Sequence, residues 1–158
     1  MPLFDVRGNG KIVFGDNFIL CSLSDFSALG VRSGNIFRVS DGAILSVGNN
    51  CGFSGCVIYC TAGISIGDGL LAGADVMIID NDFHPVDVEN RFSYPYPEGK
   101  PIFIGKNVFL GSGVKILKGV SVGDNSVIAA GSIVVSDIPS NCIAGGIPCA
   151  FIKSIELK

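Results

Sequence analysis

The chain has 158 residues and a single histidine, His84, set in Ile79-Asp-Asn-Asp-Phe-His-Pro-Val-Asp87. An imidazole, with an unperturbed pKa near 6.5, can take a proton from a hydroxyl at neutral pH and return it to a leaving group. Asp80 and Asp82 stand near enough in sequence to orient the ring and support its protonated form, and a backbone carbonyl would serve equally well; spacing does not choose among them. Six cysteines, Cys21, Cys51, Cys56, Cys60, Cys142 and Cys149, suggest a rival thiol nucleophile. None adjoins His84, none forms a Cys-x-x-Cys pair, and one histidine cannot complete a zinc site. They read as small buried hydrophobes in a reducing compartment, and no metal is expected.

A repeat must hold that histidine in place. From Ile104 an aliphatic residue returns every six positions, at Ile104, Leu110, Ile116, Val122, Ile128 and Val134. Four residues after each come Val108, Val114, Val120, Ser126, Ser132 and Ile138. Three after each come Asn107, Gly113, Gly119, Asn125, Gly131 and Asp137, types that tolerate positive φ and so can turn a corner. Six residues are too few for a strand plus a helix, and no 3.6-residue stripe is present. Three short flats and their corners close a triangular turn, and successive turns stack as parallel strands about 4.8 Å apart. Ile104 should then lie beneath Val122, Leu110 beneath Ile128 and Ile116 beneath Val134, around a dry interior.

The same spacing organises residues 47–83, with corners at Asn50, Gly69 and Asp75, while residues 1–46 read as irregular early coils in which the register slips near Arg32 to Arg38. About seven turns are expected. After Phe83 the period fails until Ile104, over twenty residues holding four of the seven prolines. Removing them sets Ile66 beneath Ile104, so residues 84–103 form one protruding loop from a prism corner, a place where function concentrates. Its Phe92, Tyr94 and Tyr96 could stack on a pyranose. Residues 139–158 form a cap, in which Gly145-Gly146 permits a reversal and Ala150 to Lys158 predicts a short helix after Pro148, covering the open upper edge. The whole, 1–158, reads as one all-β domain.

Composition narrows the function. Glycine is 22 residues and the chain is 48% apolar, which suits corners and excludes disorder. Residues 1–103 carry six basic and eleven acidic side chains, residues 104–158 five and three. A mildly basic second half suits a phosphorylated small molecule and lacks the dense basic patch of a nucleic-acid binder. No apolar run approaches a membrane span and the first residues lack a secretory layout, so a cytoplasmic location without membrane insertion is expected.

The hexads together with Asp82-Phe83-His84-Pro85 resemble the hexapeptide-repeat acyltransferases, in particular the O-acetyltransferase branch that includes galactoside, maltose, nodulation-factor and polysaccharide enzymes. The resemblance covers roughly residues 47–153. It implies a left-handed parallel β-helix, a hand that the spacing alone does not give. It also implies acetyl-CoA as donor, His84 as general base in a direct attack, and a homotrimer with its sites between subunits. By the same resemblance Leu110-Gly111-Ser112 and Ala129-Ala130-Gly131-Ser132 meet the pantetheine arm. Val135 and Ser136 follow, and Lys153 faces the coenzyme's phosphates, so the carried-over contacts are Gly111, Ser112, Ala130, Val135, Ser136 and Lys153. Asp137 and Ala150 stand where the family commonly has basic residues; Lys115 and Lys118 could compensate. No N-terminal helical cap like that of the galactoside and maltose enzymes is visible, which argues against a simple free sugar. The expected acceptor is a hydroxyl of a sugar or glycan precursor. An amine of an amino sugar and a non-enzymatic binding scaffold are the alternatives, whereas the γ-carbonic anhydrases of this fold need more histidines than the chain has.

Overall fold

The computed structural model describes residues 1–93 and 97–156. The first coil is β1 (Leu3–Val6), β2 (Lys11–Phe14) and β3 (Ile19–Cys21); the second is β4 (Ile36–Val39), β5 (Ile44–Val47) and β6 (Gly52–Ser54). The third is β7 (Val57–Cys60), β8 (Ile64–Ile66) and β9 (Leu71–Ala74), and the fourth β10 (Met77–Ile79), β11 (Ile102–Ile104) and β12 (Phe109–Leu110). The fifth is β13 (Lys115–Ile116), β14 (Ser121–Val122) and β15 (Val127–Ile128). A sixth contains β16 (Ile133–Val134), a single bridge from Ile138 to Val122, and β17 (Cys142–Gly146), and the chain ends on β18 (Cys149–Ser154). One strand per coil falls on each of three faces: β1-β4-β7-β10-β13-β16 on the first, β2-β5-β8-β11-β14 on the second, and β3-β6-β9-β12-β15-β17-β18 on the third. The expected seven turns are six among the described residues.

The register is the one the hexads require. Ile104 pairs with Val122, Leu110 with Ile128, Ile116 with Val134, and Ile66 with Ile104 across the long loop. All six aliphatics and all six residues four positions on are buried, and Ser126 and Ser132 enter the core by donating to the carbonyls of Pro139 and Ala129 at 2.7 and 2.6 Å. Each fully buried Leu or Ile contributes about 2 kcal/mol of transfer free energy. Asn107 and Gly113 take φ of 53° and 70° at their corners, as do Asn50, Gly69 and Asp75 at theirs. Asp137 does not join them: its carboxylate accepts the Ser121 N–H at 2.7 Å, and the bridge from Ile138 to Val122 shows that this last coil has already left the hexad register.

Irregularity in the early coils is concentrated in one place. β1, β2 and β3 pair residue for residue with β4, β5 and β6, and the slip is a single excursion over residues 22–35 containing a 3₁₀ turn (Ser24–Phe26). The predicted C-terminal helix is instead β18, antiparallel to β17, with Gly146 at φ 103° in the reversal. A nine-residue helix is marginal alone, while the edge of β17 offers ready backbone partners. The open edge is covered, as expected, but by a strand. Among the described residues no helix is long and apolar enough to cross a membrane.

Candidate active site

The three corners of the prism carry different residues. Between the first and second faces one vertical column reads Arg7, Ser40, Thr61, Asn81, because Val6 pairs with Val39, Val39 with Cys60, and Tyr59 with Ile79. Here the excursion over residues 80–101 leaves the stack. Asp80 is fully buried: its carboxylate accepts the backbone N–H of Thr61, Ala62 and Gly63 and the Thr61 hydroxyl, all at 2.8–3.0 Å. Its own carbonyl accepts the Lys100 N–H, so the excursion begins and ends on one residue.

Asn81, also buried, accepts the Phe83 N–H at 2.8 Å and holds that residue at φ 61°, a left-handed conformation costing about 1 kcal/mol in a non-glycine residue. The Phe83 ring meets Tyr59 at 4.9 Å. These contacts turn His84 outward, where it is exposed, its N–H donating to the Asp82 carbonyl at 2.7 Å. Nδ1 of the ring lies 3.0 Å from the carbonyl of Arg91. A carbonyl only accepts, so Nδ1 carries the hydrogen and the lone pair of the neutral ring is on Nε2. Of the two candidate carboxylates, that of Asp80 bonds to the coil below, and that of Asp82 pairs with Lys118.

His84 lines a cavity of about 660 Å³ with Arg7, Ser40, Tyr59, Thr61, Asn81 and Glu98 among its other walls. Apart from His84, sequence reasoning reached none of these as lining. Arg7 aligns with Ser40 only once the length of the 22–35 excursion is known, and Ser40, Thr61 and Asn81 stack through coils longer than the hexads predict. Phe92 is exposed, and Tyr94 and Tyr96 lie outside the described residues.

The residues expected to meet a coenzyme are spread over two corners and the third face. Gly111, Ser112 and Ala130 lie together between the third and first faces. The Ser112 hydroxyl donates to the Ala74 carbonyl, and a Cβ on Gly111 would come within 2.6 Å of the Ala130 nitrogen, so the stack itself demands that glycine. Gly131, with nothing within 4 Å of a would-be Cβ, leaves this corner bare on the outside. A second cavity of about 370 Å³ here is lined by Ser112, Gly113, Lys115 and Arg32. Val135 and Ser136 are exposed at the His84 corner, and Lys153 is exposed on β18 of the third face, opposite Ile143. Within one chain, then, the His84 corner and the Gly111–Ser112 corner are opposite edges of the first face.

The cysteines behave as buried hydrophobes. Cys51, Cys56, Cys60, Cys142 and Cys149 are buried, and Cys21 is half-buried. Burial pushes the thiols of Cys56 and Cys60 up to about 12, with Asp80 adding to the effect on Cys60. It raises Cys51 and Cys149 as well. Such thiols do not ionise near neutral pH and make poor nucleophiles.

Comparison with known proteins agrees with this architecture. The family described as hexapeptide repeat of succinyl-transferase matches residues 101–136. Galactoside O-acetyltransferase of Escherichia coli K12 is 46% identical over a segment covering 59% of this chain and 45% of its own. The chain spans about half the length of the curated relatives it matches. A maltose O-acetyltransferase from Clostridium difficile 630 superposes with a TM-score of 0.65 at 34% identity, covering 96% of this chain and 71% of that one. A hexapeptide-repeat acetyltransferase of Vibrio cholerae O1 biovar eltor, complexed with acetyl coenzyme A, gives 0.67 at 31% identity over 72% of this chain and 61% of that one. A polySia-specific acetyltransferase gives 0.69 at 25% identity over 99% and 89%. The prism is thus the left-handed parallel β-helix, and the chain belongs to the hexapeptide-repeat acetyltransferase family.

Proposed function

We propose that the chain is an acetyl-CoA-dependent O-acetyltransferase acting on a hydroxyl of a sugar or glycan, with His84 as general base. The observation that carries this reading is the setting of the His84 ring: outward, at the edge of a cavity, with Nδ1 held by the Arg91 carbonyl so that Nε2 is the basic nitrogen of the neutral ring. In the proposed step Nε2 removes the proton from the acceptor hydroxyl as its oxygen attacks the thioester carbonyl. The C–S bond breaks, and the imidazolium returns the proton to the departing thiolate. No acyl-enzyme is required, in keeping with the raised cysteine thiols.

Gly111, Ser112, Ala130 and the bare Gly131 corner offer the pantetheine arm a surface without bulk, and Lys115 and Arg32 line the adjacent cavity where phosphates would find cations. Val135 and Ser136 extend the His84 corner, and Lys153 is proposed to reach the coenzyme from the β18 end. Because the two main corners are opposite edges of one face, a neighbouring copy is needed to bring them together. A homotrimer with sites between subunits meets that need. The absence of a long apolar helix among the described residues suits a cytoplasmic location.

A coupled thiol-release assay with acetyl-CoA and a panel of sugars, oligosaccharides and amino sugars tests the reading. His84→Ala should lower turnover at least about 100-fold, within the usual range for a general base. An unchanged rate removes His84 from the mechanism, and light scattering that reports a monomer removes the shared site.

A further inference from the structure

The two ends of the prism are finished differently. At the upper end β18 lies antiparallel on β17 and closes the third face. At the lower end β1, β2 and β3 are the terminal strands of the three sheets, so each has one edge without a partner. The N–H groups of Leu3, Arg7, Lys11, Gly15 and Ile19 donate upward to the second coil. Successive residues of a strand turn their backbone groups to opposite sides, so the N–H and C=O of Phe4, Val6, Ile12, Phe14 and Leu20 point down, out of the stack. Three open edges around one floor are a template for pairing with another chain.

The floor is apolar. Phe4 pairs with Phe37, Ile12 with Leu45, Phe14 with Val47 and Leu20 with Phe53, so the inward columns of the core run down into the first coil. One coil up these positions are buried, whereas Phe4 is 46% exposed and Ile12, Phe14 and Leu20 are half-buried. Phe14 stacks on Phe18 at 4.6 Å and meets Phe4 edge-on at 6.0 Å, an aromatic layer open to water on its lower side. At the corner where the 22–35 excursion leaves lies a cavity of about 450 Å³, with Met1, Pro2, Leu20, Cys21, Leu23 and Phe26 among its walls.

We propose that this base docks on the base of a second copy, related to it by a twofold axis that crosses β2. A single peptide strand pairs one edge and leaves the other two in water, and a lipid surface leaves all three unpaired. Another base presents a matching triangle of edges and covers them together. An axis through β2 sets that strand antiparallel to its own counterpart and β1 against β3 of the partner. The start of β2 then meets the end of its counterpart, which brings Lys11 near the partner's Asp16. Both side chains are exposed, and among the described residues neither has an ion pair within its own chain. The same axis carries the corner of the 22–35 excursion onto its equivalent, so that Leu23, the 80% exposed Phe26 and the apolar cavity are covered by like groups. Because β18 obstructs the opposite end, base-to-top growth into a filament is blocked and the contact closes at two. The pairing is independent of the acetyl-transfer reading.

Light scattering and sedimentation over a range of protein concentrations test it. Phe4→Lys puts a charge in the floor and should halve the wild-type mass, whether the unit that pairs is one chain or a trimer. Lys11→Glu should weaken association at least about tenfold, and Lys11→Glu combined with Asp16→Lys, which exchanges the signs across the axis, should restore it. Both positions of the exchange are exposed, so its outcome does not depend on the core. Cys21, half-buried at the wall of the lower cavity, reports on coverage: its alkylation by a maleimide should slow at least about tenfold as wild type associates and should not slow in Phe4→Lys. Equal masses for wild type, Phe4→Lys and Lys11→Glu overturn the proposal, as does a double variant that associates no better than Lys11→Glu alone. A mass that climbs without limit with concentration overturns it in favour of a filament. A wild-type mass of three chains overturns it while leaving the shared acetyl-transfer site standing.

Discussion

Two excursions interrupt an otherwise regular prism, and they are built alike. Residues 22–35 leave between the third and first faces and residues 80–101 between the first and second, and each is fastened by one fully buried polar side chain. Asn35 does this for the first: its Nδ2 donates to the Cys21 carbonyl at 3.0 Å and the Ser22 hydroxyl at 2.9 Å, and its Oδ1 accepts the Cys56 N–H at 2.8 Å. Asp80 does it for the second, with a charge in place of an amide. Each excursion also has an ion pair to a neighbouring corner, Arg32 with Asp75 and Asp82 with Lys118. Beyond the anchors the two diverge, since only Asp80 leads into a strained Phe83 and an imidazole over a large cavity. The shared construction is structural, so fastening alone does not mark a site.

Substituting the two anchors separates these roles. Asp80→Ala leaves three part-buried backbone N–H groups without their carboxylate and should cost about 2–4 kcal/mol, whereas Asn35→Ala, which removes a buried neutral network, should cost about 2–4 kcal/mol as well. Denaturant unfolding checks the stabilities. The comparison turns on acetyl transfer by the fraction that remains folded. Asp80→Ala should lose at least tenfold in kcat because His84 is no longer fixed over the cavity, and Asn35→Ala should keep kcat within about threefold. Equal losses of kcat would mean that the first excursion also shapes the site.

The ion pairs sharpen the same contrast at lower amplitude. The Asp82–Lys118 pair is about 30% exposed and Arg32 is nearly fully so. Lys118→Ala and Arg32→Ala should therefore each change stability by less than about 1 kcal/mol. Lys118→Ala should nonetheless loosen the start of the second excursion, seen as faster amide exchange at residues 82–84 with exchange in β10 unchanged. Protection that stays equal in the variant would show that Asp80 and Asn81 hold the segment without Lys118.

The legibility of the chain divides along the same line. Columns, corners and the break at His84 were readable because a six-residue period makes each inward position predictable from its neighbours, and burial of all twelve positions from Ile104 to Ile138 is its consequence. The Arg91 carbonyl beside His84 was not readable, since a backbone acceptor has no side-chain signature. Nor was the polar column from Arg7 to Asn81, whose alignment depends on how many residues the first excursion takes out of the stack below Ser40 and on coils longer than the hexad period above it. Residues 149–154 became a strand because the edge of β17 was open, a tertiary fact that outweighs local helix preference. Lys153 in consequence lies on the third face, away from the His84 corner, which motif matching along the sequence could not show.

A regular corner provides the baseline against which both excursions can be judged. Asp68, between β8 and β9, accepts the Asn49 backbone N–H at 2.8 Å and faces Lys106 at 3.7 Å. The Asn49 hydrogen bond first, and Lys106 after it, hold its carboxyl below the usual range. A depressed folded-state pKa contributes stability that is present above the unfolded value near 3.9 and lost as pH falls through the folded one. Asp68→Asn keeps the acceptor and removes the charge. Its Tm should fall slightly below wild type at pH 6–7, and the gap should close as the pH drops below about 4, where the wild-type carboxyl is protonated. Because Asp68 is solvent-exposed, raising the salt concentration should shrink the gap at neutral pH as well. A gap that persisted unchanged at pH 3 would mean that shape, not charge, matters at this corner.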